Sequence, residues 1–397
     1  MRQLSTFAEL GVSAPVSRAL GRRGIGSPFP IQTMVMPDGL AGRDVLAKSR
    51  TGSGKTLAFA IPIVERLDPA MARPSALVLV PTRELAVQVT EDMRDIAAAR
   101  NLRVASVYGG VPIPKQAERA AKAHILVATP GRMQDLMDRR VVSLGGVRIL
   151  ILDEADRMLD MGFHPQVDKI TRSVPKDRQT MFFSATLDGA VGHLARAYTR
   201  DPQSHSIEDE RPVIEEADHR FMAVDEHGKV DKLIDVLTQE RELALVFVRT
   251  KRGADRLRSR LRAKGIQALA MHGDLTQSAR KRALDSFVSG KVDVLIATDV
   301  AARGLDLDGI SHVINYDPPQ GHKEYVHRVG RTARAGRSGI GITFVAPTQL
   351  HDMSVVAREL ELKEEFTAGG LALAAPRKVF SSHGRKSMMQ PRKRRRF

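Results

Sequence analysis

Short apolar runs alternate with helix-length stretches through both halves of the chain, and this alternation restricts the fold more than any other feature. Ala76-Leu77-Val78-Leu79-Val80, His124-Ile125-Leu126-Val127-Ala128 and Val147-Arg148-Ile149-Leu150-Ile151-Leu152 read as buried strands ending at polar or Gly/Pro turns. Helical patterns at 84–99 and 114–121 lie between them. The second half repeats the grammar: a strand at 243–248, a helix at 253–264, then strands at 292–297 and 312–316. Strand and helix alternating in this way predict parallel sheets covered on both faces. A chain of 397 residues also exceeds what one compact core usually holds, so two domains are expected.

Asp201–Ala217 is polar and acidic, is interrupted by Pro202 and Pro212, and reads as the join. The expected division is an amino-terminal region at 1–33, a first α/β domain at 34–207, a linker at 208–217 and a second α/β domain at 218–366. A basic tail without fixed structure is expected at 367–397.

Composition narrows the function classes. Cysteine is absent, which excludes disulfides, thiol catalysis and thiolate zinc sites and agrees with a cytoplasmic location. Residues 1–11 include Glu9 and carry no continuous apolar run, so they do not read as a secretory signal. No uncharged apolar stretch reaches the length of a transmembrane helix. The formal charge is +16, and Arg377–Phe397 alone holds nine Lys or Arg and no Asp or Glu. The remainder is still basic, and a polyanionic partner follows from the charge as readily as simple solubility does.

Ser49-Arg50-Thr51-Gly52-Ser53-Gly54-Lys55-Thr56 follows the strand-like 44–47 and opens an apolar helix. That is the setting of a phosphate-binding loop. Gly52 and Gly54 let backbone N–H groups approach phosphate, Lys55 supplies a cation and the Thr56 hydroxyl can ligate magnesium. Ser49 stands where the strict pattern has Gly; being small, it keeps the loop feasible. Asp153-Glu154-Ala155-Asp156 follows the apolar strand ending at Leu152. At the carboxyl end of a parallel strand, Asp153 is placed to hold the magnesium shell and Glu154 to orient or deprotonate water.

With these two motifs in order, the chain resembles the DEAD-box helicases of superfamily 2 over nearly its whole length. Two tandem RecA-like domains, ATP and Mg2+ as ligands, RNA as partner and ATP-driven unwinding of RNA or remodelling of ribonucleoproteins are what the resemblance implies. Residues 24–32 resemble that family's Q motif, implying that Gln32 bonds the adenine edge and Phe7 packs the base; Phe29 replaces the usual Thr. Ser49 and Arg50 replace Ala and Gln in the loop. Pro81-Thr82-Arg83-Glu84-Leu85-Ala86, Gly109-Gly110 and Thr129-Pro130-Gly131-Arg132 match motifs that contact RNA in the first domain. Arg83, Gly109, Gly110, Thr129, Gly131 and Arg132 are the RNA contacts implied. Ser184-Ala185-Thr186 resembles the motif coupling hydrolysis to strand separation, with Ser184 and Thr186 expected to bond Asp156.

In the second half, His327-Arg328-Val329-Gly330-Arg331-Thr332-Ala333-Arg334 spaces arginines by three, which predicts one helix face. The resemblance makes Arg331 and Arg334 arginine fingers and gives His327 a coupling role. It also implies Gln277, Arg280 and Thr298 at RNA phosphate and Asp306 near the ATP ribose. A DNA-directed helicase of the same superfamily and an ATP-gated RNA clamp with little turnover are the rival readings. The basic tail reads as an RNA tether or, in a nucleated cell, a localisation signal.

Overall fold

The computed structural model describes residues 6–49, 53–207, 217–239, 241–302, 309–333 and 338–374. In the first half these form β1 (Val45–Lys48), β2 (Ala76–Leu79), β3 (Val104–Val107), β4 (Ile125–Ala128), β5 (Ile149–Leu152), β6 (Gln179–Ser184) and β7 (Gln203–Ser206). They make one sheet in the order β3-β4-β2-β5-β6-β1-β7, with every neighbouring pair parallel. The second half supplies β8 (Ala217–Ala223), β9 (Leu243–Phe247), β10 (Leu269–Met271), β11 (Val294–Ala297), β12 (Ile310–Asn315) and β13 (Gly339–Val345). Their order is β10-β11-β9-β12-β13-β8, again with parallel neighbours.

The uninterrupted apolar runs are explained by burial on two faces. Along β2, Ala76 and Val78 enter one core layer while Leu77 and Leu79 enter the other. β5 divides likewise, Ile149 and Ile151 against Leu150 and Leu152. In the second sheet Ala244 and Val246 face one layer, Leu245 and Phe247 the other. Register then levels the strand ends. Leu79 lies opposite both Ala128 and Leu152, and Lys48 lies opposite Ser184. The motifs that begin one or a few residues later therefore emerge along one edge of the first sheet.

Three expectations need correction. Part of the stretch read as the join is β7, an edge strand beside β1. Its sequence, Gln203-Ser204-His205-Ser206, is polar because most of it faces solvent. The join also ends early, since Ala217 already pairs with Gly339. The region after Phe366 is partly folded: Leu371 is buried, Leu373 packs beside it, and Ala374 N–H donates to Ser354 Oγ at 3.2 Å. Gly369 permits this turn, because a Cβ there would come 2.0 Å from the Phe221 carbonyl oxygen. Finally, the arginine-bearing helix is shorter than the spacing suggests. It spans His322–Val329 and stops at Gly330, so Arg331 lies beyond it. Thr332 causes the departure: its hydroxyl donates to the carbonyls of Ile310 and Ser311, tying the chain to β12.

Candidate active site

Gly54, with φ of 86°, caps the helix Lys55–Arg66 and turns the loop onto its amino terminus, where the helix dipole favours anions. Lys55 is buried and donates from Nζ to the Ser49 carbonyl at 3.0 Å. Ser53 Oγ donates to Ser49 Oγ at 3.1 Å, which is where a hydroxyl in place of Gly is used. Thr56 lines the same cleft as Lys55, Asp153 and Glu154. Arg50, Thr51 and Gly52 lie outside the described residues.

Gln32 is buried at the cleft wall. Its Oε1 accepts from Phe29 N–H at 2.9 Å and its Nε2 donates to the Gly54 carbonyl at 2.9 Å. An amide has two hydrogens and two lone pairs, so one of each remains for a base edge. Phe29, more than half exposed, lies over the loop: a Cβ at Gly54 would meet its ring at 2.5 Å. Phe7 is placed differently, only 3% exposed within the core of the first domain and not among the residues lining the cleft.

Behind the loop, Asp153 and Glu154 leave β5 side by side. Glu154 takes a left-handed conformation, φ 50° and ψ 50°, one of six non-glycine residues with positive φ among those described. Burial pushes the Asp153 carboxyl up to about 6; Lys55 opposes this, while the charges of Glu154 and Asp156 add to it. Burial would raise Glu154 too. Arg157, Lys55 and Arg331 together outweigh it and hold Glu154 below the usual carboxylate range. Arg157, one turn along at i+3, pairs directly with Glu154. Its place just after the acidic motif was the available signal, and sequence reasoning passed over it.

Arg331 comes from the second half, so the two halves meet electrostatically at Glu154. It is 5% exposed and lines a small cavity with Arg157, Phe247, Asp299, His327 and Arg328. Arg328, by contrast, is a structural residue. It bonds both oxygens of Asp299 at 2.6 and 2.7 Å, Glu324 at 2.6 Å, Asn315 at 3.1 Å and the Asp317 carbonyl at 2.7 Å. Arg334 and Asp306 lie outside the described residues.

The remaining motif residues follow the strand edges. Arg83 sits against the Gly109–Gly110 turn so closely that a Cβ at Gly110 would be 2.0 Å from its Nη1. Arg132 donates to the Val111 carbonyl at 3.1 Å and to Gln116 at 2.7 Å, fixing the same loop. Thr129 is buried, and Gly131 stands open at the start of the helix Pro130–Asp138. Arg280 Nη2 lies 2.9 Å from Glu84 and Gln277 Nε2 lies 3.5 Å from it, so both residues reach across to the first domain. Thr298 is buried just past β11, beside Met271. The expected bonds to Asp156 are not among those seen: Ser184 Oγ instead accepts from Thr186 N–H at 3.3 Å.

A larger cavity, about 830 Å3, opens at the opposite, amino-terminal edge of the first sheet. Of its five arginines, Arg66, Arg178 and Arg200 donate to the carbonyls of Leu40, Pro175 and Lys176, and Arg43 pairs with Asp38. No helix among the described residues is long and apolar enough to cross a membrane.

Comparison with known proteins agrees with this geometry. Residues 29–193 match the DEAD/DEAH box helicase family and residues 228–336 the helicase conserved C-terminal domain. The DEAD-box ATP-dependent RNA helicase CshA of Geobacillus kaustophilus is 41% identical over 366 residues, covering 91% of this chain and 78% of that protein. The ATP-dependent RNA helicase CshA of Listeria monocytogenes is 42% identical over 357 residues, 89% of this chain and 68% of its own length. Among solved structures, Saccharomyces cerevisiae Dbp5 bound to RNA and ADP BeF3 superposes with a TM-score of 0.78 at 30% identity, covering 90% of this chain and 93% of that one. Two parallel-sheet domains, a phosphate loop on one, an arginine presented by the other, and relatives of this identity over nine-tenths of the length lead to one assignment: the chain belongs to the DEAD/DEAH box helicase family.

Proposed function

We propose that this protein is an RNA-stimulated ATPase that uses ATP binding and hydrolysis to unwind short RNA duplexes or remodel ribonucleoproteins. The observation that carries the reading is that Arg331, from the second domain, lines one cavity with Arg157, whose partner Glu154 lies in the phosphate-loop cleft of the first. The amino-terminal region packs into the first domain and the segment to 374 onto the second, so domains at 6–207 and 217–374 are the units that open and close.

The residues present suit a nucleotide and magnesium. Gln32 keeps a donor and an acceptor for the adenine edge, and Lys55 keeps two ammonium hydrogens for phosphate oxygens. Asp153 and Thr56 line the same cleft as Lys55 and would be the protein ligands for Mg2+, whose charge would offset the burial that raises the Asp153 carboxyl. Bound Mg2+ would neutralise charge on the nucleotide's phosphates. Glu154 orients the attacking water and accepts its proton, and Arg331 with Arg334 stabilises charge on the transferring phosphoryl group.

RNA lies across Arg83, Gly109, Gly110, Thr129, Gly131 and Arg132 on one domain and Gln277, Arg280 and Thr298 on the other. Its presence therefore favours the same closed state as ATP does. Asp156, Ser184, Thr186 and His327 connect the two sites. The cytoplasm is the compartment we assign. Glu154→Gln should keep ATP binding and lower RNA-stimulated phosphate release by at least about 10²-fold; unaltered release would remove Glu154 from its role. RNA should stimulate hydrolysis more than DNA of equal length, and the reverse order would favour a DNA-directed enzyme.

A further inference from the structure

The helix Lys251–Ala263, Lys-Arg-Gly-Ala-Asp-Arg-Leu-Arg-Ser-Arg-Leu-Arg-Ala, carries six cations and one carboxylate. Its apolar face, Ala254, Leu257 and Leu261, is buried on the second sheet. Arg252, Arg256 and Arg260 stand four residues apart on the exposed side, about 6 Å per step along the axis. Like charges at this spacing repel and weaken a helix. Ion pairing among the described residues does not relieve these three. Lys251 pairs with Asp274 at 2.6 Å, Arg258 with Asp255 at 3.5 Å and Lys264 with Asp231 at 4.0 Å. Among the described residues, no carboxylate lies within 4.0 Å of Arg252, Arg256 or Arg260.

The stripe is continuous with the RNA face assigned above. Thr250 and Lys251 begin the helix at the carboxyl edge of β9, and Lys251 grips Asp274 in the turn that leads into the helix Gln277–Val288. From there the arginines run away from the cleft, down the flank of the second domain.

We propose that Arg252, Arg256 and Arg260 form a phosphate track that binds the sugar–phosphate backbone of RNA extending beyond the interdomain cleft. The inference rests on the RNA-helicase reading and adds a second, sequence-independent contact to it. The chemistry favours nucleic acid over an acidic protein. The exposed side of the helix presents guanidiniums and Ser259 with no large apolar side chain, whereas a protein interface needs a buried anchor. A phosphate backbone needs only charge and donors.

The test uses the full chain, its parent sequence and the variant Arg252→Gln/Arg256→Gln/Arg260→Gln, with a non-hydrolysable ATP analogue. Affinity is measured over a range of salt for an RNA short enough to fill only the cleft and for one three times as long. The variant should bind the long RNA about tenfold more weakly, with a log–log salt slope shallower by about 2, three contacts at roughly 0.7 each. Binding of the short RNA, and the melting temperature, should not fall. An unchanged slope and affinity for the long RNA would overturn the proposal. So would loss of polyglutamate binding in the variant with RNA binding intact, which would assign the face to an acidic protein. Failure of the parent to bind either RNA would instead count against the helicase reading itself.

Discussion

Glu154 joins three facts at the scale of a single residue: a left-handed backbone, a buried carboxylate and cations on two sides. The strand β5 brings it to the sheet edge, Arg157 fixes its head, and Arg331 arrives from the other domain. Arg331→Ala should therefore lower the turnover number by about 10³-fold or more while leaving nucleotide binding to the first domain largely intact. Arg331→Lys should not restore it, because a point ammonium cannot reproduce the planar fork. Steady-state ATPase assays with saturating RNA check both. Lys55, Asp153 and Glu154 could be grouped from sequence because phosphate and water chemistry demands particular side chains at fixed offsets, and the fold brings them to one cleft. The position of Arg157 after the acidic motif marks it as near the site, but the roles of Arg157 and Arg328 were not legible, because a sequence does not tell a catalytic guanidinium from one that holds a neighbour in place. Phe7 and Phe29 illustrate the same limit: which aromatic reaches the cleft depends on packing, and here Phe29 lies exposed over Gly54 while Phe7 is in the core.

Strands with apolar runs were legible as elements, since burial on both faces leaves a continuous signature; the polar edge strand β7 left none. That edge is held by Asp38, on the helix Pro30–Ala41, which accepts from Arg43 Nε at 2.7 Å and lies 2.6 Å from His205 Nε2 of β7. Burial raises the Asp38 carboxyl, but the bonds to Arg43 and His205 win and place it below 3.8. A lowered carboxylate stabilises the fold above its ordinary range, and that contribution disappears as pH falls through the lower, folded value. Asp38→Asn should cost about 1–3 kcal/mol near neutrality by urea unfolding, and its difference from the parent should shrink steadily below pH 3.8. A second element-scale contact, Arg280 with Glu84, links the helices Gln277–Val288 and Arg83–Ala98 across the domains. Glu84→Ala and Arg280→Ala should each weaken RNA binding, and the double variant should be no worse than the weaker single one. Additive losses in anisotropy titrations would show that the pair does not act as a unit.

For the whole molecule, the proposed function turns on a nucleotide site shared between the two domains. Alternating strands and helices made two parallel-sheet domains readable, and motif order showed which groups each contributes. What the sequence could not show is that the halves come together at all, since that depends on surfaces complementary only after folding: Glu84 meeting Arg280, Arg331 meeting Glu154. If both ligands select the joined state, each must tighten the other, by roughly 5- to 150-fold for ordinary coupling energies. If the basic segment from Arg377 onward is an RNA tether, it adds affinity of a different kind. Truncation before it should weaken RNA binding and flatten its salt dependence without reducing that coupling.

The most direct measurement is RNA affinity with and without a non-hydrolysable ATP analogue, in the parent and in Arg331→Ala. The parent should bind RNA several-fold or more tightly once nucleotide is present, and the variant should lose most of that gain while still binding nucleotide. Equal tightening in both proteins, or none in the parent, would contradict a nucleotide held between two domains.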